Sequence, residues 1–187
     1  GFDHSAFNIE FFWNEKRDKI WFLEINTRIP QSHSNLFEKV DGISNHQIML
    51  DVALNQDPWF PKHQGKYKLA GKFFLREYQD KLITGIPTKD DLDEISSKIP
   101  ETLIDLQGKL GMKLSDIPEQ DSYSYATAFI YLGADNQKEL LEKYEQCRKM
   151  LKFEFQDLTI PVVSPEIVQA RLPEPEPEVA IQVLSSA

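Results

Sequence analysis

The sequence predicts an α+β fold. Near its start, two alternating apolar runs flank a short polar turn. Further on, strand-like runs rich in aromatic and β-branched residues alternate with segments of helical periodicity, and no repeat of fixed period is present. Hydrophobic residues make up 41% of the 187, with 12 Phe, 6 Tyr and 3 Trp. That is enough to fill the core of one large domain, or of a medium domain with a subdomain.

Residues 6–13 place Phe7, Ile9, Phe11 and Trp13 on one side, and Asn8, Glu10 and Phe12 on the other. The polar stretch from Asn14 to Lys19 forms a turn. Residues 20–26 then set Trp21, Leu23 and Ile25 opposite Phe22, Glu24 and Asn26. A hairpin centred near Arg17 would pair Glu10 with Glu24 and Phe12 with Phe22, with opposed Cβ atoms about 5 Å apart.

A polar loop covers residues 27–35, with Ser32 and Ser34 read as turn formers. Gly42 ends a short helical turn carrying Leu36, Phe37 and Val40. Ser44 and Gln47 have capping-box spacing, so a helix should run to about Asn55 and bury Ile48, Met49, Val52 and Ala53, with Pro58 and Pro61 beyond it.

Residues 66–78 read as a strand, followed by a turn at Gln79-Asp80 and a second strand over 82–86, hence a second hairpin. Thr88 with Asp91 caps a short helix bearing Leu92 and Ile95. Strands are expected at 102–106, 123–132 and 151–155, with a loop over 108–122. Asn136 with Glu139 caps a helix whose stripe is Leu140, Tyr144, Cys147 and Leu151. PEPEPE at 173–178 reads as an extended linker, and VAIQVL at 179–184 as a strand or helix docking elsewhere. The expected organisation is a first part over 1–62, a second over 63–156, and a tail over 157–187.

The formal net charge of −9 argues against general nucleic-acid binding, which needs a basic surface. The longest apolar run, Ala128 to Leu132, is five residues, far short of the roughly 20 that span a bilayer. A single cysteine, Cys147, permits no internal disulfide and fits a reducing, cytoplasmic compartment. On the helix stripe it reads as a small buried hydrophobe. No signal peptide is visible, and the chain opens at Gly1 without an initiator Met, so it reads as a fragment or a processed chain.

Chemistry concentrates on the first hairpin. Glu10, Glu24 and Asn26 are all oxygen donors, which suits Mg²⁺ or Mn²⁺ and not zinc. Arg28, two residues on, carries a fork suited to a carboxylate or a phosphoryl group. Acidic residues on a solvated hairpin face are common, and Glu10 opposite Glu24 alone reads more simply as an accident. Asn26 and Arg28 improve no solvated strand end, and Asn is poor in strands.

FNIEF at 7–11, FLEINTR at 22–28 and the Gly42-Ile43-Ser44 entry to an apolar helix resemble the C-terminal half of an ATP-grasp domain. The run is similar to that of biotin carboxylase and of carbamoyl-phosphate synthetase. The resemblance implies that Glu10, Glu24 and Asn26 bind the magnesium of ATP. It further implies that Arg28 serves the transferred group or substrate, and that Phe12 packs near the adenine. It also implies an antiparallel ATP-grasp sheet followed, over 66–155, by an α+β subdomain of the biotin-carboxylase C-terminal type.

Two departures bear on function. Carboxylases of this kind follow the Arg with Gln-Val-Glu-His, whose Glu is the base toward bicarbonate; this chain has Pro30-Gln31-Ser32-His33. Ser32 in place of that Glu favours a ligase that joins a carboxylate to an amine through an acyl phosphate. His33 reads as a loop histidine satisfied locally, with substrate contact as the alternative. The family's nucleotide-gripping lysines and Gly-rich loop, from its N-terminal half, are absent from these residues. That half is therefore an expected partner within the same enzyme, alongside ATP, carboxylate and amine substrates, and the resemblance also allows a homodimer. A biotin- or bicarbonate-dependent carboxylase is the runner-up. A non-catalytic interaction domain, using Tyr123, Tyr125, Phe129 and Tyr131, is the third reading; alternation into a core explains those aromatics more simply.

Overall fold

The computed structural model describes residues 3–158 and 182–185. They divide into two compact units. The first comprises residues up to Ala70 with Gly133–Gln137 and the strand residues from Val183; the second comprises Gly71–Leu132 and Lys138–Gln182.

The first unit opens with strands β1 (Asn8–Asn14) and β2 (Lys19–Asn26), paired antiparallel. At the turn, the Asn14 side chain accepts from the Arg17 N–H at 3.0 Å, and Asp18 takes a left-handed φ of 45°. Glu10 faces Glu24, as the alternation predicts. The expected pairing of Phe12 with Phe22 is not formed: Phe11 faces Phe22, and Phe12 faces Trp21. The turn pairs Asn14 with Lys19, one residue out of step with Glu10–Glu24, and a bulge that leaves Leu23 as the extra residue absorbs the difference.

Helix α1 (Ser34–Asp41) buries Leu36 and Val40 and ends at Gly42. There φ is +81° and the Gly42 N–H donates to the Glu38 carbonyl at 3.1 Å, a left-handed cap that glycine adopts without strain. Helix α2 (Asn45–Ala53) is capped by Ser44, whose Oγ accepts from the Gln47 N–H at 3.3 Å. It ends two residues earlier than expected, and none of its residues is fully buried; Ala53 is exposed. The chain then returns onto α1. Gly65 and Tyr67 donate to the carbonyls of Val40 and Lys39, each at 2.9 Å. A Cβ at Gly65 would lie 2.4 Å from the Lys39 carbonyl oxygen, so this close approach requires glycine.

The remaining elements are β3 (Leu69–Glu77), β4 (Lys81–Gly85), α3 (Lys89–Lys98), β5 (Leu103–Leu106), β6 (Tyr125–Ala134), α4 (Gln137–Met150), β7 (Glu154–Asp157) and β8 (Gln182–Ser185). Strands β5, β6 and β3 lie side by side in that order. The expected second hairpin of β3 with β4 does not form, because β4 pairs with β7. One edge of β3 is taken by β6, while Ile83 of β4 is drawn into a buried cluster with Leu114 and Ile117, against which Phe155 of β7 packs.

Thr88 and Asp91 form the reciprocal capping box that their spacing predicts. On α4, Leu140 and Cys147 are buried, and Tyr144 stacks on Phe73 with centroids 4.3 Å apart. The strand expected over 151–155 starts three residues later, since the Leu151 N–H still donates to the Cys147 carbonyl and extends the helical turn. PEPEPE and residues 179–181 lie outside the described residues. Among the described residues no helix is long and apolar enough to cross a membrane.

Candidate functional site

Alternation puts Asn8 and Glu10 on one face of β1, and cross-strand pairing sets Asn26 and Glu24 opposite them. All four side chains converge. The Asn26 amide nitrogen donates to Glu24 Oε1 at 2.8 Å, to Asn8 Oδ1 at 3.1 Å, and more weakly to Glu10 Oε1 at 3.4 Å. Two carboxylates this close repel unless something positive lies between them, and the amide hydrogens of Asn26 take that place. Asn8 was not among the residues singled out from sequence; its register opposite Asn26 is the signal that finds it.

The donor set fits magnesium. It offers only oxygen once the Asn26 amide turns its Oδ1 inward, and it offers two carboxylates on an accessible strand face. Magnesium is held by one or two carboxylates, with phosphate oxygens and water completing its shell. Among the described residues no group of three or more His, Cys, Asp or Glu side chains forms an all-protein cage.

Arg28 lies past the end of β2, its guanidinium donating to the Ile29 carbonyl at 3.3 Å. No hydrogen bond or ion pair joins it to Glu10 or Glu24 among the described residues. Phe12 stands on the carboxylate face, two residues along β1 from Glu10, and the bulge brings Trp21 opposite it. The other face is wholly apolar. Ile9, Phe11, Ile20, Phe22 and Ile25 are all at least 40% exposed, and the rings of Phe11 and Phe22 meet edge to face at 6.2 Å.

Beyond Arg28, Ser34 is more than a turn former. Its hydroxyl donates to Asn45 Oδ1 at 2.6 Å and stands 2.9 Å from His46 Nδ1, while the Asn45 amide donates to the Pro30 carbonyl at 3.2 Å. This network ties the loop after Arg28 to the start of α2. No local pattern could reveal it, because its members are 11 to 15 residues apart.

The second unit contains a buried cation that sequence reasoning missed. Lys72 is 7% exposed, with Nζ 3.9 Å from the Phe129 ring centroid, 4.7 Å from that of Phe74 and 5.7 Å from that of Tyr131. Burial holds its pKa below the ordinary lysine value; Asp105 opposes that shift and Arg76 adds to it. Phe129 and Tyr131 thus enclose a cation and do not simply fill an apolar core. The buried Cys147 thiol is pushed up to about 11, chiefly by desolvation, which makes it inert at neutral pH.

Residues 3–57 match the family model described as "Carbamoyl-phosphate synthase L chain, ATP binding domain". Over 55 residues, 29% of this chain, the sequence is 38% identical to urea amidolyase of Saccharomyces cerevisiae, of which it spans 3%. The structure is similar to Kluyveromyces lactis urea carboxylase, with a TM-score of 0.53 at 18% identity over 81% of this chain and 13% of that one. It is also similar to the biotin carboxylase domain of Hydrogenobacter thermophilus 2-oxoglutarate carboxylase, solved with MgADP, ADP and bicarbonate. There the TM-score is 0.54 at 13% identity, over 81% of this chain and 32% of that one. At these identities the structural likeness speaks to fold. The chain therefore spans a small part of each relative.

Proposed function

We propose that this chain carries part of an ATP-grasp domain and belongs to an ATP-dependent ligase, a reading supported by the family-model match over residues 3–57. On this reading the enzyme activates a carboxylate as an acyl phosphate and joins it to an amine. The observation that carries the proposal is the cross-strand register of Glu10 with Glu24, with Asn26 hydrogen-bonded on the same face. Glu10, Glu24 and Asn26 would hold one or two Mg²⁺ or Mn²⁺ ions. The bound magnesium nucleotide supplies the phosphoryl group that activates the substrate.

The chain's own residues position and neutralise. Glu10 and Glu24 concentrate negative charge where the cation sits, and Asn26 adds a neutral donor that limits their repulsion. Arg28, beyond the last strand residue, orients the substrate carboxylate through its planar fork. Such catalysis is mostly positioning and electrostatics. Phe12, on the same face, borders the nucleotide. The remaining nucleotide contacts would come from an N-terminal half of the same enzyme, and a reducing, cytoplasmic setting accords with the lone thiol.

A carboxylase is the second reading, in keeping with a fold shared with urea carboxylase and with a biotin carboxylase domain. Ser32, where a carboxylase would place its glutamate base, weighs against it.

The test is Glu24→Gln in the full-length protein. ATP turnover dependent on Mg²⁺ should fall by several orders of magnitude while the circular dichroism spectrum stays unchanged. ADP release near the wild-type rate would exclude the site. Stimulation of ATP hydrolysis by bicarbonate, with none by amino-acid acceptors, would move the assignment to the carboxylase.

A further inference from the structure

Resting on the nucleotide reading above, we propose that Trp21 is a nucleotide-binding residue of that site, forming with Phe12 an aromatic platform for the nucleobase. The carboxylate face and the aromatic pair are two parts of one surface. The register shifts between Glu10 and Phe11, but the extra residue, Leu23, lies in β2, so Asn8, Glu10 and Phe12 of β1 keep one face. Directly opposed residues of an antiparallel pair lie on the same side, which puts Trp21 beside Phe12 there.

Simple alternation along β2 would have turned Trp21 away from Glu24. The bulge at Leu23 reverses this: it rotates the strand so that Phe22 joins Phe11 on the opposite face, where their rings make contact, and Trp21 comes round to the carboxylate side. The aromatic pair lies two strand residues from the Glu10–Glu24 pair, about 7 Å along the sheet. Phosphates held with a cation at the carboxylates would leave the base of the same nucleotide to extend along this face.

Both rings are available. Phe12 is 63% and Trp21 47% exposed. No ring contact ties either to another side chain of the described residues, whereas Phe11 and Phe22 are engaged with each other. A planar, polarisable base is the ligand chemistry such a pair favours, since its face stacks on an aromatic side chain. An indole also presents a larger face than the phenyl group of Phe12.

The test compares two probes on the full-length protein, Mg·ADP and Mg·tripolyphosphate, by calorimetric titration with wild type, Trp21→Ala and Trp21→Phe. Trp21→Ala should weaken Mg·ADP by roughly tenfold and leave tripolyphosphate, which has phosphates but no base, unchanged. Trp21→Phe should recover most of the loss. Mg·ADP should quench tryptophan emission in wild type and in Trp13→Phe, and much less in Trp21→Phe. Unchanged Mg·ADP affinity in Trp21→Ala would overturn the platform and leave the nucleotide reading standing. Equal weakening of both probes would also overturn it, by showing a structural defect of the face. Failure of wild type to bind either probe would overturn both.

Discussion

The Asn26 amide nitrogen lies 2.8 Å from Glu24 Oε1 and 3.4 Å from Glu10 Oε1, bridging two carboxylates that the strand register sets face to face. A neutral amide offsets only part of their repulsion, so this face is poised to gain from a cation.

Glu10→Gln separates the two consequences of that arrangement. Removing one of the paired charges should leave the melting temperature without magnesium unchanged or raise it. The upward shift that magnesium with nucleotide produces in wild type should shrink or vanish. Thermal melts with and without Mg·ADP check this; a full ligand-induced shift in the variant would show that Glu10 is no ligand.

Gly65→Ala should destabilise the first unit by about 1–3 kcal/mol, the usual range for overpacking. Its methyl group would collide with the Lys39 carbonyl and break the bonds from Gly65 and Tyr67 to the end of α1. Urea denaturation followed by tryptophan emission is the measurement, since all three Trp lie in that unit.

Thr88→Ala removes the hydroxyl that accepts from the Asp91 N–H, and with it half of the capping box of α3. The expected loss is about 1 kcal/mol. Thr88→Ser keeps the cap and should lose much less, which chemical denaturation of the pair will report.

Burial raises Cys147 to about 11, above its unfolded value, so the folded state holds the thiol proton more tightly. The corresponding stability is present below the unfolded pKa and is lost as pH rises from about 9 toward 11. Denaturant midpoints should therefore fall over that interval in wild type, and less steeply in Cys147→Ala. The native thiol should also resist alkylation at pH 8 and react promptly once unfolded in urea.

Much of this was legible because the signals are local. The capping box of α3 is a spacing of three residues, the apolar stripe of α4 repeats every turn, and Gly42 follows the last buried residues of α1 as a helix-ending glycine should. The Glu10–Glu24 pairing was legible because one short turn joins the two strands. The partner of Phe12 was not, since a single extra residue in one strand leaves the alternation of each run looking intact. Nor was the pairing of β4 with β7, separated by about seventy residues, or the cage around Lys72, which draws on β3 and β6.

By itself, then, the sequence determined which elements form and where a face bearing two carboxylates and an amide would arise, because backbone period, caps and short turns depend on neighbours in the chain. The tertiary structure alone decided which strand edges meet, that Ser34 binds Asn45 and His46, and that Trp21 rather than Phe22 shares the face of Glu10. Those choices depend on competition among distant apolar surfaces for the same strand edges, and on how the hairpin relieves a one-residue mismatch with its turn. So the hairpin's ligands can be read along the chain, but the aromatic beside them is set by the bulge.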